Sequence, residues 1–220
     1  MNCPDCGSSF DAPDRRFTRC RRCQWRVADV AWAEMEAHKL ATEWLESCPP
    51  LFRQTDPARL PQKALAEVLA WKYSPRGLIL YGPTGTGKTR AAFLLLHHLA
   101  LNDNRSAEVF LAGDFERAVA VYFGPKGDPD RWLRSLRAVD VLFLDDLGKG
   151  KLTERAEAEL FNLIDMRAAH LKPIIATTNF TGLALASRVS PDRGPPLLRR
   201  LREFCQQVEF SPTVVTSHPA

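Results

Sequence analysis

The sequence predicts an α/β fold, a three-layer αβα arrangement built on a five-stranded parallel sheet. Short apolar strands alternate with helical stretches from residue 51 onward, which is typical of parallel sheets covered on both faces. A glycine-rich turn directly follows the first of these strands, and two carboxylates end the third. The 220 residues, 45% of them hydrophobic, suffice for one full-sized domain and a small appendage.

Residues 1–26 contain two short cysteine pairs, Cys3-x-x-Cys6 and Cys20-x-x-Cys23, separated by thirteen residues. Each short turn presents two thiolates to one side of an ion, so two such turns complete a tetrahedral zinc site. Four thiolates leave no open coordination position, and the pattern therefore predicts a small zinc ribbon holding a structural Zn²⁺. A redox pair or packing cysteines are the alternatives, which the doubled motif and the absence of a core disfavour.

The zinc-binding module is also basic, and two uses for it stay open at this point. It either binds nucleic acid or docks a protein partner, since part of the positive charge only balances four thiolates on one zinc ion. The arginines that crowd the module are Arg15, Arg16, Arg19, Arg21 and Arg22. The remaining cysteines, Cys48 and Cys205, have no partner at metal-binding spacing and are predicted to be packing residues.

Residues 27–49 are predicted to form a linker helix. The run from Val27 to Leu45 is free of Gly and Pro and carries apolar residues at three- and four-residue spacings. Cys48-Pro49-Pro50 ends it, because proline lacks the N–H that a continuing helix needs.

The alternating pattern occupies residues 50–211, followed by a tail, 212–220. Loops are predicted at 124–130 and 190–196, where Gly, Pro and Asp cluster. The predicted strands are Gly77 to Tyr81, Glu108 to Ala112, Val139 to Asp145, Pro173 to Thr178 and Gln207 to Phe210. The predicted helices are Thr89 to Leu101, Asp114 to Phe123, Thr153 to His170 and Pro196 to Cys205.

The turn after the first strand is a phosphate-binding loop. It matches G-x-x-x-x-G-K-[ST] in full, between a strand and a helix as the motif requires. Its backbone N–H groups and the helix N-terminus would face the phosphates of ATP, Lys88 would reach the β- and γ-phosphates, and the Thr89 hydroxyl would bind Mg²⁺. The loop consists of Gly82, Pro83, Thr84, Gly85, Thr86, Gly87, Lys88 and Thr89.

Polar residues at the ends of two later strands complete the predicted site. Asp145 would hold the Mg²⁺, and Asp146 would orient or deprotonate the attacking water. Asn179 follows the next strand and would hydrogen-bond that water or the γ-phosphate, because the carboxyl ends of parallel strands border the ligand crevice. Taken alone, an acidic turn and an asparagine turn are common; the P-loop upstream favours the functional interpretation.

With these motifs in place, the chain resembles the AAA+ ATPases of the DnaC/IstB group, which contains helicase loaders and the ATP-binding helpers of certain transposases. The resemblance covers roughly residues 50–211. It rests on LILYGPTGTGKT, VLFLDDLG, LTERAEAELFNLIDMR, KPIIATTN and LLRRLREFCQQVEF, in that order. It implies an AAA+ P-loop NTPase core in which the strand before Asn179 lies between the two Walker strands.

The resemblance also assigns roles by position. Lys88 and Thr89 match the Walker A pair, Asp145 and Asp146 the Walker B pair, and Asn179 sensor 1. An Asp at the second Walker B position implies slow or partner-stimulated hydrolysis. Because the sequence stops about ten residues after the last strand, no full lid domain is expected.

The helix of LLRRLREFC is amphipathic, with three arginines opposite or flanking its apolar face. By resemblance it carries an arginine finger, which acts on the ATP of a neighbouring subunit and therefore implies a homo-oligomer. Arg200 is the best match and Arg199 the second, while Arg188 is a further candidate.

The leading hypothesis is an ATP-dependent helicase loader that engages single-stranded DNA and a replicative helicase. The alternatives are a transposition helper that acts on duplex DNA with a transposase, and an ATP-switched adaptor with negligible turnover. Lys126, Arg131, Arg134 and Arg137 lie where this family adds a DNA-facing helix. The start has no signal peptide and no stretch is long enough to span a membrane, so a cytoplasmic protein is expected.

Overall fold

The computed structural model describes residues 1–12 and 17–211. Arg15 and Arg16 of the basic module and the predicted tail, 212–220, lie outside the described residues. The described chain contains a five-stranded sheet in which every pairing is parallel, as predicted. Its strands are β1 (Gly77–Tyr81), β2 (Ala107–Phe110), β3 (Val141–Leu144), β4 (Ile174–Thr178) and β5 (Cys205–Glu209).

The strand order is β2-β3-β4-β1-β5, so β4 lies between β1 and β3. This order confirms what the resemblance implied. Ile175 of β4 is in register with Leu78 on one side and with Phe143 on the other. The carboxyl ends of β1, β3 and β4 therefore meet at one edge of the sheet, which is where parallel sheets bind ligands.

Helices cover both faces of the sheet, which gives the three layers. Among the described residues, no helix has the length and hydrophobicity needed to cross a membrane. The helices are α1 (Arg21–Ser47), α2 (Pro50–Arg53), α3 (Gln62–Ala70), α4 (Lys88–Asn102), α5 (Asp114–Tyr122), α6 (Pro129–Ala138), α7 (Glu154–Ala169), α8 (Gly182–Ala186) and α9 (Gly194–Phe204), with a 3₁₀ turn at Pro57–Arg59.

The two hydrophobic cores follow from the alternation of side chains along the strands. Leu78 and Leu80 of β1 pack with α1, α3 and α4, while Ile79 faces the core formed with α5, α6, α7 and α9. Cys48 is buried in the first core and Cys205 in the second, and both are free thiols. The prediction that these two cysteines serve packing is confirmed.

Helix α1 begins at Arg21, six residues before the predicted start, and therefore includes Cys23. The run from Cys20 to Ser47 contains neither Gly nor Pro, so nothing interrupts the helix between the cysteines and the linker. Its first turns are basic and polar, which is why apolar periodicity did not reveal them. The helix ends before Pro49, as predicted.

Helix α6 is absent from the helices predicted from periodicity, although the resemblance places a helix in this region, and the predicted loop 124–130 is shorter than expected. The Asp128 side chain accepts a hydrogen bond from the Arg131 backbone N–H (2.9 Å), and Pro129 fills the first helical position. Trp132 and Leu136 are buried one turn apart. Trp132 packs edge-on against Phe110 of β2, which fixes the helix beside the sheet.

A fully buried arginine on α7 joins the amino ends of two strands. Arg167 donates hydrogen bonds to the carbonyl oxygens of Leu136 (2.7 Å), Asp140 (2.7 Å) and Pro173 (2.9 Å). Burial lowers its pKa to about 10. The guanidinium thus supplies donors to carbonyl groups that precede β3 and β4, of which that of Pro173 also accepts from the Leu142 N–H (3.3 Å).

Candidate functional site

The P-loop lies between β1 and α4, as the sequence predicts. Gly87 has φ 90° and immediately precedes the first helical residue, Lys88. A Cβ atom at Gly87 would lie 2.4 Å from Leu60 Cδ2, so a larger residue would need both a strained backbone and a displaced Leu60. The N-terminus of α4 therefore opens into the loop, an arrangement that binds anions.

The Lys88 side chain is almost fully buried against the loop. Its Nζ donates hydrogen bonds to the carbonyl oxygens of Gly82 (2.9 Å) and Pro83 (2.7 Å). Burial lowers the pKa of Lys88, while the nearby Asp146 and Asp145 oppose that shift. The amine thus lies among oxygen acceptors, where an ammonium group is suited to contact phosphate oxygens.

Asp145 links the P-loop to β3 and β4. Its Oδ1 accepts hydrogen bonds from the hydroxyl groups of Thr89 (2.7 Å) and Thr177 (2.6 Å). Burial raises the pKa of Asp145, and the two hydroxyl donors counter that rise. The hydroxyl of Thr89 and the carboxylate of Asp145 are oxygen ligands of the type that Mg²⁺ prefers, so the residues fit the ion.

The backbone of Asp146 lies in the left-handed region, with φ 54°, and three polar contacts fix the residue. Its backbone N–H donates to Thr177 Oγ1 (2.8 Å), its Oδ1 accepts from Asn179 Nδ2 (3.3 Å), and its Oδ2 pairs with Lys149 Nζ (2.7 Å). The structure therefore brings Asp146 and Asn179 together, as predicted from their strand ends. Sequence reasoning missed Lys149 and gave Thr177 no role.

A cavity of about 780 Å³ lies over the P-loop, and Asp146 and Asn179 line it. Its opposite wall comes from the segment before α3, including Leu51, Phe52 and Pro61. Arg90 of α4 donates to the Leu51 carbonyl (2.9 Å), which ties this wall to the P-loop helix. This wall also carries Gln54, Asp56 and Arg59, so the cavity offers apolar and polar contacts opposite the P-loop. Such a cavity suits the base and the phosphates of a nucleotide.

The segment that forms this wall, residues 51–61, was absent from the predicted site because its apolar residues follow no helical or strand period. The available signal was local: Asp56 precedes Pro57, and its side chain accepts from the Ala58 N–H (3.0 Å) to form a 3₁₀ turn. Phe52 stacks on Phe93 of α4, with ring centroids 4.4 Å apart. This ring pair fixes the wall relative to the phosphate-binding helix.

The arginine-finger candidates lie in two places: Arg199 and Arg200 are on α9, whereas Arg188 lies beside Gly148, close to Asp146. Arg200 Nε pairs with Asp165 Oδ1 (2.7 Å), and its side chain borders Ile174 and Cys205, the first residues of β4 and β5. This is the amino edge of the sheet, opposite the P-loop edge. Arg199 is exposed, and Arg188 Nε donates to the Gly148 carbonyl (2.9 Å).

The four N-terminal cysteines converge in space. The sulfur atoms of Cys3, Cys6, Cys20 and Cys23 all lie within 4.8 Å of one another. A tetrahedral zinc ion with Zn–S bonds of ~2.3 Å requires sulfur–sulfur distances of ~3.8 Å, so the donor set fits Zn²⁺.

The pKa values of two of these thiols are shifted in opposite directions. Hydrogen bonding from the Cys20 backbone lowers the pKa of Cys3 to about 6, whereas burial raises that of Cys23 to about 12. Zinc binds thiolates, so loading the cluster would release protons. Arg19 pairs with Asp5 (2.8 Å), and this contact between the two cysteine turns leaves one arginine of the basic module already neutralised.

Helix α6 presents a row of exposed arginines on the side opposite its buried Trp132. Arg131, Arg134 and Arg137 follow one another at three-residue intervals, and none forms an ion pair with any residue in 1–12 or 17–211. Lys126 in the preceding loop is exposed too. Their positive charge is thus available to an anionic partner.

The sheet order, the P-loop after β1 and the three-layer architecture define the class of protein, an AAA+ P-loop NTPase. Comparison with protein families is more specific. Residues 34–208 match the model for IstB-like ATP binding proteins, and the chain belongs to that family.

Two relatives are encoded by insertion sequences. The ATP-binding protein of IS1162 from Pseudomonas fluorescens is 33% identical over 121 residues, which cover 55% of this chain and 52% of the relative. An insertion-sequence ATP-binding protein from Mycobacterium tuberculosis is 34% identical over 134 residues, which cover 58% and 51%. The chain thus spans about half the length of these relatives.

Solved structures share the fold. DnaI superposes with a TM-score of 0.62 at 20% identity, covering 75% of this chain and 95% of DnaI. The DnaC helicase loader gives 0.56 at 23% identity, covering 68% and 87%. The replication initiator DnaA, solved with AMPPCP and single-stranded DNA, gives 0.55 at 25% identity, covering 72% and 47%.

Proposed function

We propose that this chain binds and hydrolyses Mg²⁺-ATP to drive the assembly of a protein on DNA. One observation carries the proposal: the hydroxyl of Thr89, a residue that lines a cavity of about 780 Å³, lies 2.7 Å from the Asp145 carboxylate. The pair joins a P-loop to the end of a buried strand, which is the pairing that metal-assisted phosphoryl transfer requires.

In this proposal the P-loop backbone from Gly82 to Gly87 holds the phosphates, and Lys88 bridges the β- and γ-phosphates. Thr89 and Asp145 hold the magnesium ion, which neutralises charge on the phosphate oxygens. The apolar wall around Leu51 and Phe52 takes the base. The family description supports ATP as the ligand.

Asp146 and Asn179 act on the attacking water. The water oxygen forms a bond to the γ-phosphorus while the bond from that phosphorus to the bridging oxygen of ADP breaks. Asp146 accepts the proton that the water loses, and Asn179 orients the water through its amide. The 3.3 Å contact between Asn179 Nδ2 and Asp146 Oδ1 supports a shared role for the two side chains.

The active site is completed in trans, within a homo-oligomer. Arg200 lies on the edge of the sheet opposite its own P-loop, so its guanidinium is placed to serve a neighbouring subunit rather than its own ATP. To do so it leaves Asp165, an exchange that an incoming phosphate oxygen favours. Arg199, which is exposed and unpaired within the described residues, is the second candidate.

For the DNA partner we propose a single strand, contacted by the α6 arginines Arg131, Arg134 and Arg137. The DnaA structure that this fold resembles was solved with single-stranded DNA bound, which supports that choice. Phosphate contacts from arginine position a strand without reading its sequence.

The cysteine cluster is proposed to hold one structural Zn²⁺ and to dock a replicative helicase. The proposed organisation is a zinc-binding module, 1–26, a linker helix, 27–49, an ATPase domain, 50–211, and a tail, 212–220. A separate metal module in front of the ATPase favours a loader, because it offers a docking surface away from the nucleotide.

A transposition helper is the second candidate function, and a specific observation favours it: two relatives at 33% and 34% identity are insertion-sequence proteins. In that case the partner is a transposase and the DNA is duplex. An ATP-switched adaptor would bind the same nucleotide without turning it over.

Sedimentation and nucleotide turnover, measured on the zinc-loaded chain with ATP, test these functions. The loader predicts oligomer growth on single strands and faster turnover, whereas growth on duplex DNA alone would favour the transposition helper. ATP binding without turnover, with either DNA present, would favour the adaptor. Lys88→Ala should abolish ATP binding, while Lys63→Ala, a matched change at an exposed lysine of α3, should preserve it.

A further inference from the structure

The carboxylate of Asp146 is already engaged by a lysine of its own chain. Lys149 Nζ lies 2.7 Å from Asp146 Oδ2, and Asn179 Nδ2 lies 3.3 Å from Oδ1. The Asp146 side chain is 20% exposed, whereas that of Lys149 is 62% exposed. Each oxygen of this largely buried carboxylate thus accepts one donor, and one of the two donors is a cation that solvent reaches.

The ion pair follows from the backbone turn that joins the two residues. The Lys149 N–H donates to the Asp146 carbonyl (2.9 Å), and Gly148 between them has φ 88°, as a type II turn requires at its third position. A Cβ at Gly148 would lie 2.9 Å from Leu185 Cδ1. Arg188 also binds the Gly148 carbonyl, so the turn is fixed and returns Lys149 to Asp146.

This contact opposes the role assigned to Asp146. A carboxylate that takes a proton from water must present an oxygen to that water, and the ammonium group 2.7 Å from Oδ2 competes with the water for the carboxylate. The contact also affects the lysine, because Asp146 raises the pKa of Lys149 and keeps its amine charged. As long as the pair persists, hydrolysis is slowed.

The chain beyond the turn is open to a competing anion. Gly150 has φ 78°, and a Cβ there would meet no atom within 4 Å. Lys151 is exposed and forms no ion pair with any residue that the structure describes. Lys149 and Lys151 therefore flank a solvent-facing glycine, where a chain of phosphate groups can pair with both.

We propose that Lys149 restrains Asp146, and that phosphate groups of a bound nucleic acid strand release the carboxylate by pairing with Lys149. The inference rests on the proposed ATP hydrolysis and adds the residue that couples it to DNA. Lys149 is a positioning residue in this scheme, because it acts through Asp146. Lys151 adds a second phosphate contact and has no role in restraining Asp146.

Turnover of Lys149→Met tests the restraint. Ion pairs of this exposure are worth up to about 1 kcal/mol, so turnover without DNA should rise about two- to fivefold with KM for ATP unchanged. Stimulation by an oligothymidylate strand should shrink by the same factor. Lys149→Arg should restore the wild-type values, and the matched control Lys63→Met, at an exposed lysine of α3, should leave turnover without DNA unchanged. Lys151→Met should weaken DNA affinity.

A second readout does not depend on turnover. The rate at which an acylating reagent labels Lys149, followed by mass spectrometry against pH, reports the pKa of its amine. Asp146→Asn should make Lys149 react at lower pH. In the wild-type chain, adding the oligothymidylate strand should change the rate at which Lys149 is labelled. Labelling of Lys151 should not respond to Asp146→Asn.

The outcomes separate the two proposals. A wild-type chain without ATP turnover, with or without DNA, refutes the proposed hydrolysis, whereas the labelling still measures the ion pair. A wild-type chain that DNA stimulates, together with an unchanged or slower Lys149→Met variant, leaves hydrolysis standing and overturns the restraint. Labelling of Lys149 that ignores Asp146→Asn overturns it as well.

Discussion

The hydroxyl of Thr177 contacts the carboxylate of Asp145 and the backbone of Asp146, and its removal is the sharpest test of the proposed site. Thr177 Oγ1 donates to Asp145 Oδ1 (2.6 Å) and accepts from the Asp146 N–H (2.8 Å). Thr177→Val keeps the shape of the fully buried side chain and removes both bonds. Asp145 then loses a donor, and the Asp146 N–H is left unpaired.

The expected cost follows from the two lost bonds. A hydrogen bond to a charged group contributes about 1.5–3 kcal/mol, and an unpaired buried N–H costs about 1–3 kcal/mol. We therefore expect the free energy of unfolding to fall by about 3 kcal/mol at pH 7. Mg²⁺-dependent ATP affinity should fall by roughly tenfold or more, because Thr177 orients the carboxylate that is proposed to hold Mg²⁺.

Thr178→Val is the matched control. Thr178 is the next residue of β4 and is equally buried, but its Oγ1 donates to the Leu147 carbonyl (2.7 Å) and accepts from the Phe180 N–H (3.1 Å). Its partners are neutral backbone groups, so the loss should be about 1–2 kcal/mol. ATP affinity should not change.

Urea unfolding at several pH values separates the two variants further. Burial holds the pKa of Asp145 above its unfolded value of about 3.9, so the native state binds the proton more tightly and stability falls as pH rises through that window. Thr177→Val removes a bond that favours the ionised form and raises the pKa further. The difference in free energy of unfolding between wild type and Thr177→Val should therefore increase from pH 4 to pH 7, whereas the difference for Thr178→Val should stay constant. Equal, pH-independent losses would refute the reasoning.

Three further outcomes are expected. Arg167→Met should lower the free energy of unfolding, measured in urea, by about 4 kcal/mol, because three short hydrogen bonds to carbonyl groups disappear. A loss below about 1 kcal/mol would contradict the view that Arg167 joins the amino ends of β3 and β4. Replacing Cys3 and Cys6 by Ser should reduce bound zinc, measured by mass spectrometry, while ATP affinity is retained. Arg200→Ala and Lys88→Ala should each be inactive alone, and a mixture that stays inactive would argue against a finger between chains.

The sequence predicted the sheet well because each strand is short, apolar and bounded by turn residues. The predicted and observed bounds of β1 agree at Gly77–Tyr81, and β4 differs from its predicted range only by the omission of Pro173. The helix α3 was missed because it is short and follows the irregular segment that forms the cavity wall. Local periodicity carries no information on which surface such a segment will cover.

The candidate site was predictable wherever motif and strand end coincide. Lys88, Asp145 and Asn179 share one edge because they end or follow parallel strands, which a linear pattern reveals. Lys149 could not be found in this way, since its position depends on how Gly148 turns the backbone. The partner that Arg200 finds within its own chain, Asp165, lies on another helix and likewise required the structure.

Helix α1 also has a mechanical consequence. Its 27 residues form a rod of about 40 Å, with Cys23 in its first turn and Trp44 near its other end. The Trp44 ring packs 5.7 Å from that of Phe93 on α4, the helix whose first residues are Lys88 and Thr89. A force applied at the cysteine cluster therefore acts through a long moment arm, and even a small force there exerts a large torque on the helix that begins at the P-loop.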